Sequence, residues 1–448
     1  MKIKIDSRKV NQGDTFVALK GPIHDGHDYI EDAIQKGATK VVVEKGSYDV
    51  ETLVVEDTRA YLTEYLKENF YQEIADIHLI GVTGTNGKTT TCFLVYEALQ
   101  KLHKKCAYIG TIGFYMDSKV RDLNNTTPDI LDLYEMLLEC KEKGIEYVTL
   151  EVSSHALAYK RVEGLLFDYA VFTNLTRDHL DFHETMENYA LAKQILFQKL
   201  KKGGKAIVNS DDSYYLYYVL KENKTLFYGF QTGDYAVVEY KISPDKNTFV
   251  LEHLGKKETY ESHLIGKYNI YNMVACIVIL NEMGFTNLTE IVKNILPPIG
   301  RMDKIRYNEN TIIVDYAHTP DAVENMILSA KEMCEGKVYV IVGCGGNRDK
   351  TKRPMMAKIA TQLGDYAIFT SDNPRWENPE SILKDMVDGL EDKNYEVIVN
   401  RKEAIQKGVQ LLEKNDILLL LGKGHETYQI INGEKHYFDD KQMVLEFM

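Results

Sequence analysis

The sequence predicts an α/β protein with three domains, in which strands alternate with helices. Three observations support this prediction. The chain has 448 residues, which is more than one hydrophobic core usually accommodates. Apolar strand-like runs alternate with helical patterns through the middle of the chain, and the alternation restarts after the Pro297-Pro298 break. We therefore expect domains at residues 1–75, 76–300 and 301–448.

Each domain has its own predicted layout. In the first, a small α/β unit, the strand-like runs TFVAL and KVVVE flank the helical DYIEDAIQKG. In the central domain, runs such as YVTLEV and YAVFTN alternate with helices, which is typical of parallel strands in a P-loop ATPase-like, mononucleotide-binding fold. In the last, five strand-like runs from TIIVDYA to DILLLLGKG predict a Rossmann-like, doubly wound sheet. The closing TYQIINGEKHYF, with Asn432-Gly433 between alternating apolar runs, predicts a β-hairpin.

Composition limits the classes of function. Acidic residues outnumber basic ones, 67 to 54, and the net charge of −13 disfavours broad nucleic-acid binding. No apolar run approaches the roughly 20 residues that span a bilayer, and the start, MKIKIDSRKV, has no apolar signal segment. We expect a cytoplasmic protein without a membrane span, and we treat it as a monomer. The cysteines have no metal-ligand spacing and are expected to be reduced thiols; they are Cys92, Cys106, Cys140, Cys276, Cys334 and Cys344.

The sharpest motif is IGVTGTNGKTTT at residues 80–91, a strand that leads through a glycine-rich turn into a helix. Backbone N–H groups of such a turn and the positive end of the helix bind phosphate. Lys88 can reach the terminal phosphates, and Thr89 or Thr90 can ligate Mg²⁺. The spacing departs from the common pattern only because Val82 stands where the first glycine is usual. The motif predicts that the protein binds ATP or GTP.

Acidic residues follow two further strand-like runs of the central domain. Glu151 ends the run YVTLE, where a carboxylate beside a phosphate loop is suited to Mg²⁺, although it could also be a charge at a helix N-terminus. A later run places Asp178, His179, Asp181 and His183 within six residues. That cluster could form a transition-metal hydrolase site, but its P-loop neighbours favour oxygen-bound Mg²⁺.

Four loops of the last domain follow strand-like runs directly, at residues 314–322, 343–354, 369–381 and 422–429. In an open α/β sheet these strand ends form the ligand-binding edge, so we expect the loops to converge on one crevice facing the central domain. Within the loops, basic residues predict a pocket for carboxylates or phosphates, although a solvated charged turn is the alternative; they are Arg348, Lys350, Lys352, Arg353 and Arg375.

Many of these motifs resemble, in chain order, those of the Mur ligase family. The resemblance extends over residues 6–429 and implies ATP-dependent amide formation with Mg²⁺. The D-glutamate side-chain carboxylate of UDP-N-acetylmuramoyl-L-alanyl-D-glutamate would become an acyl phosphate, and the amine of an amino acid would displace the phosphate. Among the members, the chain is similar to those that add the third residue of the peptidoglycan stem peptide. The motifs are GTNGKTT, EVSSHAL, NLTRDHLDFH, NYALAKQILF, GKYNIYNMVA, GRMD, DYAHTPD, GCGGNRDKTKRP, DNPR and GKGHET.

The resemblance also implies which residues bind ATP and Mg²⁺. Lys88 and Thr89 would hold the phosphates, while Thr90, Glu151 and His179 would sit at Mg²⁺. Asn272 would contact adenine, and two residues of the last domain would contact the ribose or phosphates. The remaining implied ATP contacts are Gly84, Thr85, Asn86, Gly87, Arg301 and Asp315.

Lys193 is the fourth implied catalytic residue, beside Lys88, Glu151 and His179. On its pattern alone it is a solvated lysine on a helix. In related ligases the matching lysine is carbamylated, and the resemblance therefore implies that Lys193 becomes a carboxylate-like Mg²⁺ ligand.

For the UDP-sugar peptide, the resemblance implies that the first domain binds uridine. Two departures from the family pattern affect this site. The segment GPIHDG has Pro22, Ile23 and His24 where His-Gln-Ala is frequent, and Tyr159 stands where a glutamine is common. The implied contacts are Ser7, Thr126, Thr127, Ser153, Tyr159 and Arg161.

The DNPR motif concerns the choice of amino acid. Family members that add diaminopimelate carry it, whereas lysine-adding members lack the arginine. The guanidinium of Arg375 could bind the second carboxylate of diaminopimelate bidentately, with Asp372 and Asn373 at the distal amino group. Meso-lanthionine, which keeps both ends, and L-lysine remain alternatives. The other implied contacts are Arg348, Pro374, Gly422 and Glu426.

Two questions stay open at this point. Trp376, the only tryptophan, has no implied role and is predicted to be a core or lid residue. Two rival functions also remain. A ligase similar to folylpolyglutamate synthase would not be expected to carry DNPR, and a P-loop motor or nucleic-acid ATPase would turn over nucleotide without an amino acid.

Overall fold

The structure, a computed structural model, describes residues 1–21, 24–230, 232–243 and 245–448. Pro22 and Ile23 of the GPIHDG departure lie outside the described residues. The described part of the chain forms three main sheets and a two-stranded hairpin, with helices between the strands. The predicted α/β class is confirmed.

The N-terminal sheet has four parallel strands in sequence order. Asp57 caps the helix that follows the sheet by accepting hydrogen bonds from the backbone of Arg59 and Ala60. The elements are β1 (Ile3–Lys4), β2 (Thr15–Val17), α1 (Ile30–Gln35), β3 (Lys40–Val43), β4 (Glu51–Val54) and α2 (Thr58–Ile74), with 3₁₀ turns at Ser7–Lys9 and Gly26–Tyr29.

The central sheet has eleven strands among the described residues. Its strands are β5 (His78–Thr83), β6 (Cys106–Gly110), β7 (Gly113–Tyr115), β8 (Lys119–Arg121), β9 (Tyr147–Glu151), β10 (Phe167–Phe172), β11 (Leu200–Asn209), β12 (Lys224–Phe230), β13 (Tyr235–Ile242), β14 (Asn247–His253) and β15 (Lys256–Ser262). Its helices are α3 (Lys88–Lys101), α4 (Ile130–Glu142), α5 (Ser154–Ala158), α6 (Leu180–His183), α7 (Met186–Gln198), α8 (Lys267–Glu282) and α9 (Thr289–Lys293), with a 3₁₀ turn at Tyr215–Tyr218.

The strand order of the central sheet is β15-β14-β13-β12-β11-β10-β5-β9-β6-β7-β8. The strands from β13 to β6 in this order are parallel, as predicted, whereas both edges continue as antiparallel hairpins that the sequence analysis did not predict. The apolar helices α3 and α8 pack together on one face of the sheet. On the other face, α2 packs against α4, so the N-terminal sheet shares a core with the central one.

The C-terminal sheet has the order β16-β17-β21-β18-β19-β20, with β16 antiparallel and the five predicted strands parallel. Its strands are β16 (Asp303–Tyr307), β17 (Asn310–Asp315), β18 (Val338–Val342), β19 (Tyr366–Phe369), β20 (Tyr395–Val397) and β21 (Ile417–Leu421). Its helices are α10 (Pro320–Met333), α11 (Lys352–Leu363), α12 (Pro379–Val387), α13 (Arg401–Leu411) and α14 (Asp440–Phe447).

The predicted hairpin is also present, as β22 (Tyr428–Ile431) and β23 (Glu434–Tyr437). Asn432 and Gly433 both have positive φ angles, 50° and 81°, which a tight turn between two strands requires. The domain boundaries at residues 75 and 300 stay a prediction. All six cysteines are free, and among the described residues no helix is long and apolar enough to cross a membrane.

Candidate active site

A cavity of about 1020 Å³ lies between the central and C-terminal sheets. Residues after the carboxyl ends of β5, β9 and β10 line it from the central sheet, and residues after β17, β18, β19 and β21 line it from the C-terminal sheet. Each of the four loops of the last domain, which the sequence predicts at one crevice, contributes residues to this cavity. The carboxyl ends of parallel strands from two different sheets therefore line one site.

The phosphate loop between β5 and α3 depends on two glycines. Gly84 and Gly87 have φ angles of 151° and 85°. A β-carbon on Gly84 would lie 1.9 Å from Thr173 Oγ1, and one on Gly87 would lie 2.5 Å from Asn272 Oδ1. Only glycine fits at both positions, because the loop packs closely against its neighbours.

Lys88 begins α3, and its Nζ donates hydrogen bonds to the carbonyl oxygens of Gly84 and Thr85 at 3.0 and 2.8 Å. Burial lowers the pKa of this lysine, while the charge of Glu151 opposes the shift. The amine thus lies at the mouth of the loop, where an anionic ligand would restore its full charge.

Glu151, at the end of β9, is completely buried and is held from several directions. It accepts hydrogen bonds from Thr89 Oγ1 at 2.8 Å, from the backbone N–H of Thr111 at 2.8 Å and from the hydroxyl of Tyr108. Arg301 Nη2 donates to the same Thr89 hydroxyl at 3.3 Å. Thr89 and Thr111 are therefore the threonines whose hydroxyls contact Glu151, whereas Thr90, which the resemblance implies at Mg²⁺, lines the same cavity.

His179 lies beside this carboxylate site in the left-handed region, with φ 55°. Burial lowers the pKa of its imidazole, so the ring is neutral at pH 7. Its Nε2 lies 3.4 Å from Asp178, which also faces Lys352 of the C-terminal domain at 3.8 Å. His183 instead meets the hydroxyl of Ser154 at 2.9 Å. Within the described residues, no three His, Cys, Asp or Glu side chains are grouped closely enough to hold a metal ion, so the run from Asp178 to His183 is not such a cluster.

Lys193 of α7 does not line the cavity but lies behind the phosphate loop, with only 1% of its surface exposed. Its Nζ donates to the carbonyl oxygen of Gly84 at 2.8 Å and lies 4.4 Å from the centre of the Tyr189 ring. Burial lowers the pKa of Lys193 well below its ordinary value, and the charge of Lys88 adds to the shift. The prediction from its sequence pattern, that Lys193 is a solvated lysine, is therefore wrong.

Five of the six residues implied for the UDP-sugar peptide line the cavity: Thr126, Thr127, Ser153, Tyr159 and Arg161. Thr127 Oγ1 donates to the backbone of Glu151 at 2.8 Å, and Arg161 donates to the carbonyl oxygen of Thr127 at 3.2 Å. Ser7, the sixth, is buried in the first 3₁₀ turn and does not line the cavity.

Arg375, at the end of the DNP turn, has an unusual backbone. Its φ angle is 55°, a left-handed conformation that is rare for a residue other than glycine. Its N–H donates to Ile430 of the hairpin at 2.9 Å, and its Nη1 donates to the carbonyl oxygen of Gly346 at 2.8 Å. Burial and the nearby charge of Arg348 lower the pKa of the guanidinium. Two loops and the hairpin therefore fix the side chain at the cavity wall.

The other residues implied for the amino acid surround Arg375. Asn373 Nδ2 donates to Glu426 Oε2 at 2.7 Å, and Asp372 lies beside Gly422. Pro374 is buried and does not line the cavity, whereas the remainder of the set does; the lining members are Arg348, Asp372, Asn373, Arg375, Gly422 and Glu426.

The predicted basic pocket is smaller than expected. Arg353 is 1% exposed, and its charge is compensated by Glu377 at 3.1 Å and Asp385 at 2.7 Å. Lys350 also pairs with Glu377, at 3.3 Å. Because acidic partners bind these two cations away from the cavity, the basic residues that line it from these loops are Arg348, Lys352 and Arg375.

Trp376 is not a core residue, since 72% of its surface is exposed. The indole packs on the hairpin turn, where a β-carbon on Gly433 would lie 2.4 Å from its Cζ2 atom. Its backbone N–H donates to Asn347 at 3.1 Å. The tryptophan therefore lies on the surface beside the cavity.

The residues assigned to ATP cluster around the phosphate loop. Asn272 accepts from Thr91 at 3.3 Å, and Arg301 lies over the ring of Tyr316 at 4.7 Å. Asp315 accepts a hydrogen bond from the backbone N–H of Met302 at 2.8 Å, and burial raises the pKa of Asp315. Gly84 does not line the cavity, whereas the other assigned residues do; these are Thr85, Asn86, Gly87, Lys88, Thr89, Thr90, Asn272, Arg301 and Asp315.

Sequence reasoning missed an interdomain contact of the phosphate loop. Asn86 Nδ2 donates to Asp321 Oδ2 at 2.7 Å, and Thr319 Oγ1 donates to Asn86 Oδ1 at 3.3 Å. Thr319 is the N-cap of α10, Asp321 belongs to its first turn, and both are part of the motif DYAHTPD. Their position after a strand end indicates that they lie at the ligand-binding edge. The contact with the phosphate loop, however, becomes visible only in the fold, which places the start of α10 beside Asn86.

Family models match three parts of the chain. The Mur ligase family, catalytic domain model matches residues 2–71, the Mur ligase middle domain model residues 82–280, and the Mur ligase, glutamate ligase domain model residues 300–424. Together with the fold and the cavity, these matches define the class: the chain belongs to the Mur ligase family of ATP-dependent, amide-forming ligases.

Comparisons with individual relatives are more specific than the family models, because each relative is a named ligase. UDP-N-acetylmuramoyl-L-alanyl-D-glutamate–2,6-diaminopimelate ligase of Bacillus cereus is 42% identical over 99% of this chain and 93% of its own length. A solved structure of a ligase of the same name has 35% identity and a TM-score of 0.69, covering 99% of this chain and 94% of that one. The MurF ligase of Thermotoga maritima in complex with ADP has the same fold, with a TM-score of 0.71 at 20% identity, covering 99% of this chain and 96% of that one.

Proposed function

We propose that the protein adds meso-2,6-diaminopimelate to the D-glutamate side-chain carboxylate of UDP-N-acetylmuramoyl-L-alanyl-D-glutamate, with ATP converted to ADP and phosphate. The observation that carries this proposal is that one cavity is lined by two arginines and two acids, namely Arg348, Arg375, Asp372 and Glu426. A diamino diacid presents both carboxylate and ammonium groups, and these cations and anions are suited to bind them. The names of relatives at about 40% identity agree with this substrate.

The chemistry requires two displacements. The D-glutamate carboxylate attacks the γ-phosphorus of ATP, the bond to the bridging oxygen breaks, and ADP leaves. The amine of the diamino diacid then attacks the acyl carbon, loses a proton and expels inorganic phosphate. Lys88 and Arg301 would bind the phosphates through both steps, since both line the cavity beside Thr89. Holding three reactants in one closed site supplies the orientation that the reaction needs.

Mg²⁺ fits the residues at the phosphate loop. The hydroxyl of Thr89 and the carboxylate of Glu151 are oxygen donors 2.8 Å apart, and they lie next to Lys88. Mg²⁺ prefers one or two carboxylates together with substrate phosphates, which matches this donor set. When bound, the ion would neutralise charge on the transferred phosphoryl group. We assign Thr89 and Glu151 as its side-chain ligands, with His179, which lines the same cavity, as a further candidate and Thr90 as the weaker threonine.

Carbamylation of Lys193 is part of the proposal. Carbamylation needs a neutral amine, which attacks CO₂, forms an N–C bond and releases a proton. The buried, depressed-pKa amine of Lys193 supports this reaction. The carbamate would place a negative charge behind the phosphate loop, close to the cation of Lys88, and would supply an oxygen ligand of the kind that Mg²⁺ prefers.

The sugar-peptide would occupy the part of the cavity lined by Thr126, Thr127 and Arg161, which lies next to Glu151. Its uridine would reach the N-terminal sheet, although Ser7 does not line the cavity. We propose that the protein works in the cytoplasm, where ATP and nucleotide-linked precursors are available. We also propose that it acts as a monomer.

The test is phosphate release with ATP and the UDP-muramoyl dipeptide, measured with diaminopimelate, lanthionine, lysine and ornithine in separate reactions. Strict dependence on the dipeptide and on diaminopimelate supports the proposal. Equal use of lanthionine would change the proposed amino-acid substrate but keep the protein an amide-forming ligase. Preference for lysine would contradict the role of Arg375 in binding a second carboxylate. Turnover without either acceptor would favour a nucleotide-driven motor.

A further inference from the structure

Lys423, two residues after β21, is a buried lysine without an assigned role. Its side chain has no exposed surface, and it does not line the cavity. Its Nζ donates to Glu426 Oε2 at 3.2 Å and to the carbonyl oxygen of Tyr428, and it lies 3.7 Å from Asp372 Oδ1 and 3.5 Å from Asn373 Oδ1. All four neighbours are oxygen atoms, so the ammonium is surrounded by acceptors.

The two carboxylates next to this lysine face the amino-acid end of the cavity. Asp372 is 6% exposed, and its Oδ1 accepts no hydrogen bond from the described residues. Burial raises the pKa of Glu426, and the charge of Asp372 raises it further, whereas Lys423 opposes both effects. Without a cation beside it, the pKa of Glu426 would therefore rise further.

We propose that Lys423 is a positioning residue for the incoming amino acid, because its buried ammonium holds the Asp372 and Glu426 side chains in place to receive the substrate's amino group and balances one of their two charges. The inference rests on the proposed function. With Lys423, the acid pair carries one net negative charge, which a substrate ammonium neutralises. Without Lys423, the pKa of Glu426 rises further, and a protonated Glu426 no longer attracts an ammonium group by its charge.

Other charged and titratable groups also face the acid pair. Arg375 comes from the DNPR turn and Arg401 from the first residue of α13, and both are electrostatically coupled to Asp372 and Glu426. Arg401 is neutralised by its own partner, Asp440, at 2.6 Å. Arg375 is assigned to the second carboxylate of the substrate, and Lys423 is the cation that donates a hydrogen bond to Glu426. The remaining titratable neighbours are Tyr316, Tyr428 and Cys344.

The decisive variant is Lys423→Met, which keeps the length of the side chain and removes its charge. We expect the KM for diaminopimelate at pH 7 to rise at least about tenfold, the effect of one charged hydrogen bond, while the KM for ATP changes less than about twofold. As the pH rises from 6 to 9, the KM should recover, because Glu426 regains its charge. Wild type should lack this recovery. Lys402→Met, a half-exposed lysine paired with Glu446, is the matched control and should behave as wild type.

A second variant keeps the test decisive if Lys423→Met does not fold. The double variant Lys423→Met/Glu426→Gln keeps Asp372 but has lost the carboxylate of Glu426. Its KM for diaminopimelate should therefore equal that of Glu426→Gln within about threefold and should not vary with pH. The role of Lys423 would be overturned if the rise in KM of the double variant equalled the product of the two single-variant effects. It would also be overturned if the rise in KM of Lys423→Met did not depend on pH. The proposed function fails separately, if wild type itself shows no phosphate release that depends on a diamino diacid.

Discussion

The guanidinium of Arg353 contacts the carboxylate of Glu377 through both terminal nitrogens, at 3.1 Å each. Arg353 belongs to the first turn of α11, shortly after Arg348, and Glu377 stands two residues after Arg375. The ion pair therefore fastens together the two loops that carry the arginines of the cavity. A bidentate, buried pair of this kind holds its geometry better than a surface pair does.

Glu377→Gln should destabilise the protein at neutral pH. The hydrogen bonds from Arg353 lower the pKa of Glu377 from 4.5 to about 2. Because the folded-state pKa is depressed, the stabilisation is full above the ordinary value and is lost as the pH falls from about 4.5 toward 2. We expect the free energy of unfolding to drop by on the order of 3 kcal/mol at pH 7 and by much less at pH 3.

Urea unfolding at the two pH values measures this difference. Glu413→Gln, on an exposed carboxylate paired with Lys337, is the control and should change the midpoint little. An equal loss for Glu377→Gln at both pH values would show that its charge is not responsible.

Arg375→Ala should reduce the use of diaminopimelate by at least ~2 kcal/mol in transition-state stabilisation, or about 30-fold in kcat/KM, because the second carboxylate would lose its partner. The KM for ATP should stay the same. Arg306→Ala, an exposed arginine paired with Asp245, should leave kcat/KM unchanged. The quantity to compare is kcat/KM for diaminopimelate, and an unchanged value for Arg375→Ala would contradict its role in amino-acid selection.

Thr89→Val and Thr90→Val should differ although they are neighbours. Thr89 donates to Glu151 and accepts from Arg301, so its loss would remove a ligand from the proposed Mg²⁺ site. We expect the Mg²⁺ concentration for half-maximal activity to rise at least about tenfold for Thr89→Val and clearly less for Thr90→Val. The reverse order in a Mg²⁺ titration would restore the assignment that the family resemblance implies.

Lys193 should carry CO₂ in the active protein. Lys193→Ala should abolish most activity, and intact-mass measurement under native conditions should show a carbamate on wild type, because burial lowers the pKa of the amine and so favours its neutral form. Lys199→Ala, which removes a lysine paired with Glu163 just after α7, is the control. Finding only the unmodified lysine, together with activity indifferent to bicarbonate, would remove this ligand from the site.

Arg401→Met should be among the most destabilising single changes. Arg401 and Asp440 are both fully buried and form a bidentate pair, with bonds of 2.7 and 2.6 Å. Removing the arginine leaves Asp440 as an unpaired buried charge, at a cost of about 3–5 kcal/mol. The double variant Arg401→Met/Asp440→Leu should be less destabilised. Chemical denaturation compares the two, and a larger loss for the double variant would contradict this explanation.

The sequence contained enough information for the parallel strands and for most of the cavity, since strand ends and glycine-rich loops are local features. Local patterns cannot show which cation meets which anion. Lys193 has the pattern of a solvated residue, and its burial appears only when α7 packs behind the phosphate loop. Likewise, Arg353 counted as a ligand-binding cation until the fold placed Glu377 beside it. The antiparallel edge hairpins were missed because their alternation resembles that of other strands.

Trp376 offers a practical consequence of its place on the hairpin turn. It is the only tryptophan of the chain, it is largely exposed, and it is the residue after Arg375. Indole emission excited at the red edge of the absorption band therefore reports on one location, at the rim of the cavity. Binding of an amino acid at Arg375 can be followed as a change in this emission, in the unmodified protein and without a coupled assay.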